Sequence, residues 1–191
     1  MTTGKPRMAR AQRREQILAA ATKAFSRTGF AATSLEDIAA EAEVSRMILY
    51  RHFESKGELF RAALDRALER MTAATDVEVG ARSVSALVRW AAAEPAEFLV
   101  LFCWSEREPE HAERAVRVRE AMESEVRERI ARDAGHGPWS RWAARLAVAT
   151  CLEAIMLWLR ESAPEPDAAI ERITRIVTSI VDSAGGAPEL T

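Results

Sequence analysis

Apolar residues recur every three to four positions along most of the chain, and nowhere do they alternate with polar ones over the length of a strand. That period predicts helices throughout. Over residues 9–27 the positions Ile17, Leu18, Ala21, Ala24 and Phe25 form one stripe, and Gly29 supplies a left-handed terminator. Thr33 with Glu36 reads as a capping box opening a short helix that buries Leu35, Ile38 and Ala39. After a break at Ala42, Glu43 and Val44, Ser45 offers an N-cap for a second short helix with Ile48 and Leu49 inward and Arg46, Met47, Tyr50 and His52 outward. Ser55 and Glu58 form another capping box, opening a longer helix marked by Leu59, Phe60, Ala63, Leu64, Leu68 and Met71. Further on, prolines and glycines punctuate helices over 83–93, 96–108, 110–134 and 139–162, and Asp167 caps a last one running to about residue 183. The expected architecture is all-α, a three-helix head over 1–54 and a larger helical unit over 55–191, with the helix over 55–75 as connector.

The head carries the chemistry. Two short helices joined by a tight turn, the second displaying Arg46, Met47, Tyr50 and His52, make a device suited to a DNA groove. Arg46 can bridge guanine O6 and N7 or a phosphate, while Tyr50 and His52 suit backbone contacts. Lys56 falls in the first turn of the connector, where unpaired N–H groups and the helix dipole favour a phosphate. Because the dipole repels a cation there, a purely structural role for Lys56 is disfavoured. Residues 1–8 read as a polar arm whose Lys5 and Arg7, with Arg10, could follow phosphates or enter a minor groove.

Over Arg13 to Leu64 the sequence resembles the TetR-type (tetracycline-repressor-like) bacterial transcriptional regulators. The resemblance rests on Ile17, Leu18, Ala20, Ala21, Phe25, Gly29, Phe30, Thr33 and Ser34. It continues through Ile38, Ala39, Ala42, Val44, Ser45, Leu49, Tyr50, His52, Phe53, Lys56, Leu59 and Phe60. Met47 and Ile48 depart from the small residues common at those positions. The resemblance implies that Thr33, Ser45, Arg46, Met47, Tyr50, His52 and Lys56 face DNA, that the rest of the chain binds a small effector and dimerises, and that the last two helices form a four-helix interface.

Charge placement sharpens this. The net charge of the whole chain is only -2. Yet residues 1–56 hold ten Lys/Arg against six Asp/Glu, and residues 76–191 hold fourteen against twenty. A basic head on an acidic remainder suits phosphate binding by the head alone. Cys103 and Cys151 sit in apolar runs without metal-ligand spacing and read as buried core thiols, a redox sensor being the alternative. No apolar run approaching 18 residues stands out, so a cytoplasmic protein without a membrane span is expected. His52, His111 and His136 are scattered, and no metal-spaced or nucleophile-base set occurs, which disfavours an enzyme and implies no metal or cofactor.

In the larger unit, the helix over 139–162 is apolar almost all round, and the last helix carries an apolar stripe. Leu152, Ile155, Met156, Leu159, Ile170, Ile173, Val177, Ile180 and Val181 are the expected dimer contacts. Trp90, Phe98, Phe102, Met122, Val126, Trp142 and Leu146 are the expected walls of an effector cavity, with core filling as the plainer account. Glu153, embedded in an apolar run, must pair with Arg145 or Arg160 or else anchor an effector. The expected function is a ligand-responsive regulator, most simply a repressor that binds a palindromic operator as a homodimer. A non-responsive architectural DNA-binding protein is the alternative.

Overall fold

A computed structural model describes residues 9–104, 108–135, 137–161 and 165–184. The expected basic arm, the frayed tail and His136 lie outside them. The elements run α1 (Arg10–Ala32), α2 (Leu35–Glu41), α3 (Arg46–Tyr50), α4 (Lys56–Ala74), α5 (Ala81–Ala93) and α6 (Pro95–Leu99). A single π-helical turn over Val100–Trp104 extends α6, and α7 (Pro109–Ala134), α8 (Pro138–Arg160) and α9 (Pro166–Asp182) complete the fold. The described residues contain no strand.

Two local readings are corrected. The cap of α2 is Ser34, not Thr33: the Asp37 amide donates to Ser34 Oγ at 3.1 Å and the Ser34 amide donates to the Asp37 carboxylate at 2.9 Å. Thr33 is unavailable because it is buried, its hydroxyl donating to the Gly29 carbonyl at 2.6 Å. The prolines at 95, 109, 138 and 166 open helices rather than only closing the preceding ones. A first-turn N–H has no intrahelical partner, so its absence in proline costs nothing there.

The apolar stripes meet as the period requires. Phe25, Phe60, Leu59, Leu64, Ile17 and Ile38 are fully buried where α1, α2 and α4 pack together. Phe60 meets Phe25 edge-on at 4.9 Å and Phe30 at 5.2 Å, and His111 of α7 completes the cluster 4.8 Å from Phe60. A polar seam runs beside it. Arg66 of α4 reaches Glu15 of α1 at 2.5 Å and Glu97 of α6 at 3.2 Å, while Arg70 holds the same Glu97 oxygen at 3.0 Å. Burial pushes the Glu97 carboxyl up, and Arg66 and Arg70 pull it back down. Only Arg66 and Glu97 are buried, Glu15 and Arg70 being exposed, so removing Arg66 or Glu97 strands the other and costs about 3–5 kcal/mol.

Gly29 is the point on which α1 turns. Its backbone, at φ 83° and ψ 177°, lies in a region open essentially to glycine alone. A Cβ there would also stand 2.5 Å from Cε3 of Trp104, whose Nε1 donates to the Ser26 carbonyl at 2.9 Å. Gly57, in the first turn of α4, is different: a Cβ would approach nothing closer than 3.8 Å.

Gly29→Ala is therefore expected to destabilise the protein by about 1–3 kcal/mol from backbone strain, with the indole clash adding to it. Gly57→Ala should stabilise by about 0.4–1 kcal/mol through the unfolded chain. Urea unfolding of the two variants checks both signs, and a neutral Gly29→Ala would refute the account of this junction.

Candidate nucleic-acid interface and internal cavity

The turn between α2 and α3 is built from backbone hydrogen bonds. The Val44 amide donates to the Ala39 carbonyl at 2.9 Å, and Glu43 takes the positive φ, 52°, that the reversal needs. Gln16 of α1 secures this turn by donating to the Ala42 carbonyl at 2.8 Å. Beneath α3, Leu49 and Phe53 are buried, which fixes the opposite face outward. That face carries Ser45, Arg46, Met47 and Tyr50, all exposed. Ser45 caps α3 by accepting from the Ile48 amide. Met47, 66% exposed, is a long apolar side chain whose sulfur accepts from the Arg51 guanidinium at 3.8 Å. Arg46 is ion-paired with Glu36 and donates to the Tyr50 hydroxyl at 3.3 Å; that hydroxyl first, then Glu36, raises its pKa further.

His52 is half-buried behind α3. Burial is the main cause that lowers its pKa, followed by the nearby charges of Arg10, Arg14 and Arg13, so the ring is neutral at pH 7. This reveals a basic cluster that the motif did not contain. Arg13 and Arg14 belong to the first turns of α1, and Arg14 lies 4.6 Å over the Phe53 ring. The spacing of Arg10, Arg13 and Arg14 places them on one side of a helix. Their meeting with His52 is a product of tertiary packing and leaves no mark on the local pattern.

Two motif residues stand differently from expectation. Lys56 does have a structural part: its ammonium donates to the carbonyls of Phe30 at 2.8 Å and Thr33 at 3.0 Å and lies 4.4 Å over the Phe30 ring. The unbonded carbonyls ending α1 outweigh the repulsion from the start of α4. Thr33 is buried, with its hydroxyl turned toward Gly29.

A cavity of about 790 Å³ lies in the larger unit, bordered by α4, the 75–79 connection, α5, α7, α8 and α9. Leu68, Val84, Leu87, Val118 and Val148 give it an apolar interior. Of the expected walls, Met122 and Val126 line it. Trp90, Phe98 and Phe102 instead pack together in the core, their rings 6.1 and 5.0 Å apart in succession. Trp142 and Leu146 lie on the outside of α8, and so does Glu153, which is exposed and not embedded. The reason is geometric: 142, 146, 149, 153 and 157 share one side of α8, and the other side is the one that packs. Arg160, its expected partner, instead donates to Cys103 Sγ at 3.0 Å. Cys151 borders the cavity with its thiol pushed up to about 12 by burial, hence protonated. Among the described residues no three His, Cys, Asp or Glu side chains gather where they could hold a metal ion.

The expected dimer residues also divide. Leu152, Ile155, Ile173 and Val177 are buried within the protomer, so they cannot reach a partner. Met156, Leu159, Ile170, Ile180 and Val181 are half-buried against the same core. On these two helices the large apolar groups left outside are Trp139, Trp142, Leu146 and Leu157 of α8 and Ile176 of α9. With both its sides apolar, α8 is long and apolar enough by composition to cross a membrane, which corrects the expectation that no such run exists. In the fold it packs between α7 and α9.

Comparison with known proteins fits this geometry. Residues 17–63 match the model of the bacterial regulatory proteins, tetR family. The HTH-type transcriptional activator FasR of Mycolicibacterium smegmatis is 42% identical over 65 residues, 34% of this chain and 30% of that protein. The chain thus spans about a third of the length of the first curated relatives it matches. A TetR-like transcriptional regulator from Rhodococcus sp. RHA1 superposes with a TM-score of 0.79 at 23% identity, covering 94% of this chain and all of that one. NalD of Pseudomonas aeruginosa, the secondary repressor of the MexAB-OprM multidrug efflux pump, superposes with a TM-score of 0.64 at 26% identity, covering 88% of this chain and 95% of that one. The helix-turn-helix head at the matched residues is thus similar to that of the tetR family of bacterial regulatory proteins, and the larger helical unit shares the fold of solved TetR-like regulators.

Proposed function

We propose that the chain is a cytoplasmic transcriptional repressor that binds a palindromic operator as a homodimer and leaves it when a small molecule enters the larger unit. Residues 1–54 are the reading head, residues 55–191 the sensing and dimerising unit, and α4 connects them. The observation that carries the reading is the outward face of α3 with Arg10, Arg13 and Arg14 beside it. Arg46, Met47 and Tyr50 suit base edges and a thymine methyl, and the α1 arginines suit the flanking phosphates. Lys56 serves by fixing the head to α4 rather than by meeting a phosphate directly.

A single head offers too few contacts for tight specific binding, so a second copy is needed about one turn of DNA away. The exposed stripe of α8, with Ile176 of α9, supplies the apolar surface for that pairing. The cavity of about 790 Å³ favours a ligand-responsive protein over a purely architectural one, since it falls in the range of small-molecule sites. A ligand that binds the DNA-incompetent form more tightly releases the operator in proportion to that difference.

Selection of bound sequences from a random DNA pool is expected to return a palindrome with half-sites about 10 bp apart, centre to centre. On that operator Arg46→Ala should relax preference at one position per half-site, at a cost of about 1–3 kcal/mol. Full retention of affinity and preference would remove α3 as the reading element.

His52 gives a pH dependence of definite sign. Its lowered pKa keeps it neutral in the free protein, and a neighbouring phosphate would favour the protonated ring. Operator binding should therefore take up a proton and strengthen as pH falls from 8 toward 6. His52→Gln should flatten that part of the profile, measurable by fluorescence anisotropy at constant ionic strength.

Leu157→Glu with Ile176→Glu alters two exposed positions, so the protomer should stay folded while sedimentation shows a monomer with weakened operator affinity. A dimer that survives the pair of changes would move the interface off this stripe.

A further inference from the structure

The interior of the cavity is apolar, but its border is charged, and the charges are not equally available. Two guanidinium groups border it. Arg114 is ion-paired with Asp65 of α4, and Arg117 lies 3.5 Å from Glu113 one turn back on α7. Three carboxylates also border it: Asp76 and Glu78 from the connection between α4 and α5, and Glu125 from α7. Glu78 has Arg82 at 3.9 Å, with both side chains largely exposed, and its charge also acts on Arg129, whose pKa is raised mainly by Asp133 and to a lesser degree by Glu78. Arg129, one turn beyond Glu125, is engaged by Asp133. Among the described residues Asp76 and Glu125 form no ion pair. Arg117 and Glu125 are eight residues apart on α7, about 12 Å along the axis, so the cation cannot neutralise the carboxylate at contact.

The border thus has two paired cations and, in Asp76 and Glu125, two carboxylates outside any ion pair among the described residues, around an apolar space of about 790 Å³. An apolar interior rewards a ligand's hydrocarbon, and a carboxylate beside a low-dielectric wall acts on a charge more strongly than one in open water. An anionic headgroup would meet three like charges there, whereas a cationic one would meet Asp76 and Glu125 without displacing an existing pair, with Glu78, held only by the exposed Arg82, beside them. Of the three hydroxyls on the border, Thr75 and Ser83 are already engaged, which leaves Thr72 alone to recognise a neutral polar ligand. Thr75 donates to the Met71 carbonyl at 2.9 Å and Ser83 to the Gly80 carbonyl at 2.8 Å.

We propose that this cavity takes a lipophilic cation, with an apolar body against Leu68, Leu87, Met122 and Val148 and a positive centre at the border between Asp76, Glu78 and Glu125. The assignment rests on the reading of the chain as an effector-responsive regulator and names the class of effector. The three carboxylates come from two segments, so a bound cation draws the 75–79 connection toward α7. The same helix α7 carries His111 against Phe30 and Phe60 of the head.

Tetraphenylphosphonium and tetraphenylborate have the same shape and opposite charge, and triphenylphosphine oxide is a neutral relative. Calorimetry on the full chain should give tetraphenylphosphonium at least tenfold tighter binding than either of the others. The triple variant Asp76→Asn, Glu78→Gln, Glu125→Gln, altered only at the cavity border, should lose that preference while retaining operator binding. Equal or tighter binding of the borate or the oxide to the unaltered protein overturns the proposal, and so does a preference that persists in the triple variant. Operator release, followed by anisotropy with each compound, separates this from the broader reading. Release by the borate or the oxide overturns the cation assignment and leaves effector response standing. No binding by any of the three, with the operator complex indifferent to all, overturns the cation assignment and removes support from effector response as well.

Discussion

The carbonyls that α1 leaves unbonded at its C-terminal end are the constraint on which the rest of the molecule hangs. A helix must find outside partners for its last turn of carbonyls, and here each comes from a different part of the chain. Trp104 bonds the Ser26 carbonyl, Thr33 the Gly29 carbonyl, and Lys56 the carbonyls of Phe30 and Thr33. The larger unit, the start of α2 and the start of α4 are thereby fixed at one place. The buried rings of Phe25 and Phe60, with Phe30 and His111 beside them, lie directly under it.

That arrangement gives the cavity two mechanical connections to the head. The first is α4, which lines the cavity with Leu68 and Met71 and reaches the head through Phe60 and Lys56. The second is α7, which borders the cavity over two turns and more and ends with His111 on the aromatic cluster. Both are single helices without an internal break, so displacement at one end is carried to the other rather than absorbed. The buried pair of Arg66 and Glu97, with Glu15 and Arg70 at its exposed rim, ties α1, α4 and α6 together beside them and resists shear between head and body.

The helices, their number and the inward residues of the head could be read from the sequence, because one strong period repeats and the amphipathic faces are unambiguous. Ile17, Phe25, Ile38, Leu49 and Phe60 are buried as that period requires. Reading failed where two faces of one helix are both apolar. Along α8 the series Trp142, Leu146 and Leu157 looks no different from Val148, Leu152 and Ile155, yet the first is outside and the second inside. Glu153 was drawn to the wrong side by the same ambiguity. At the start of α2 two hydroxyl residues stand together, and only the burial of Thr33 makes Ser34 the cap. Lys56 shows a further limit, since a local electrostatic rule was overruled by carbonyls twenty-odd residues upstream.

The position of Trp104 over Gly29 bears on the exchange of parts between proteins of this architecture. A three-helix head transplanted from another chain by a cut at residues 54 and 55 would bring its own counterparts of Gly29 and Phe30 but meet the resident Lys56, Trp104 and His111. A side chain at the glycine position would drive out the indole, and a smaller group under His111 would leave a void beside Phe60. The seam lies in space across α1, α4, the π-helical turn and α7, not at any one peptide bond. Successful chimeras of this protein would have to carry the five residues across as a set.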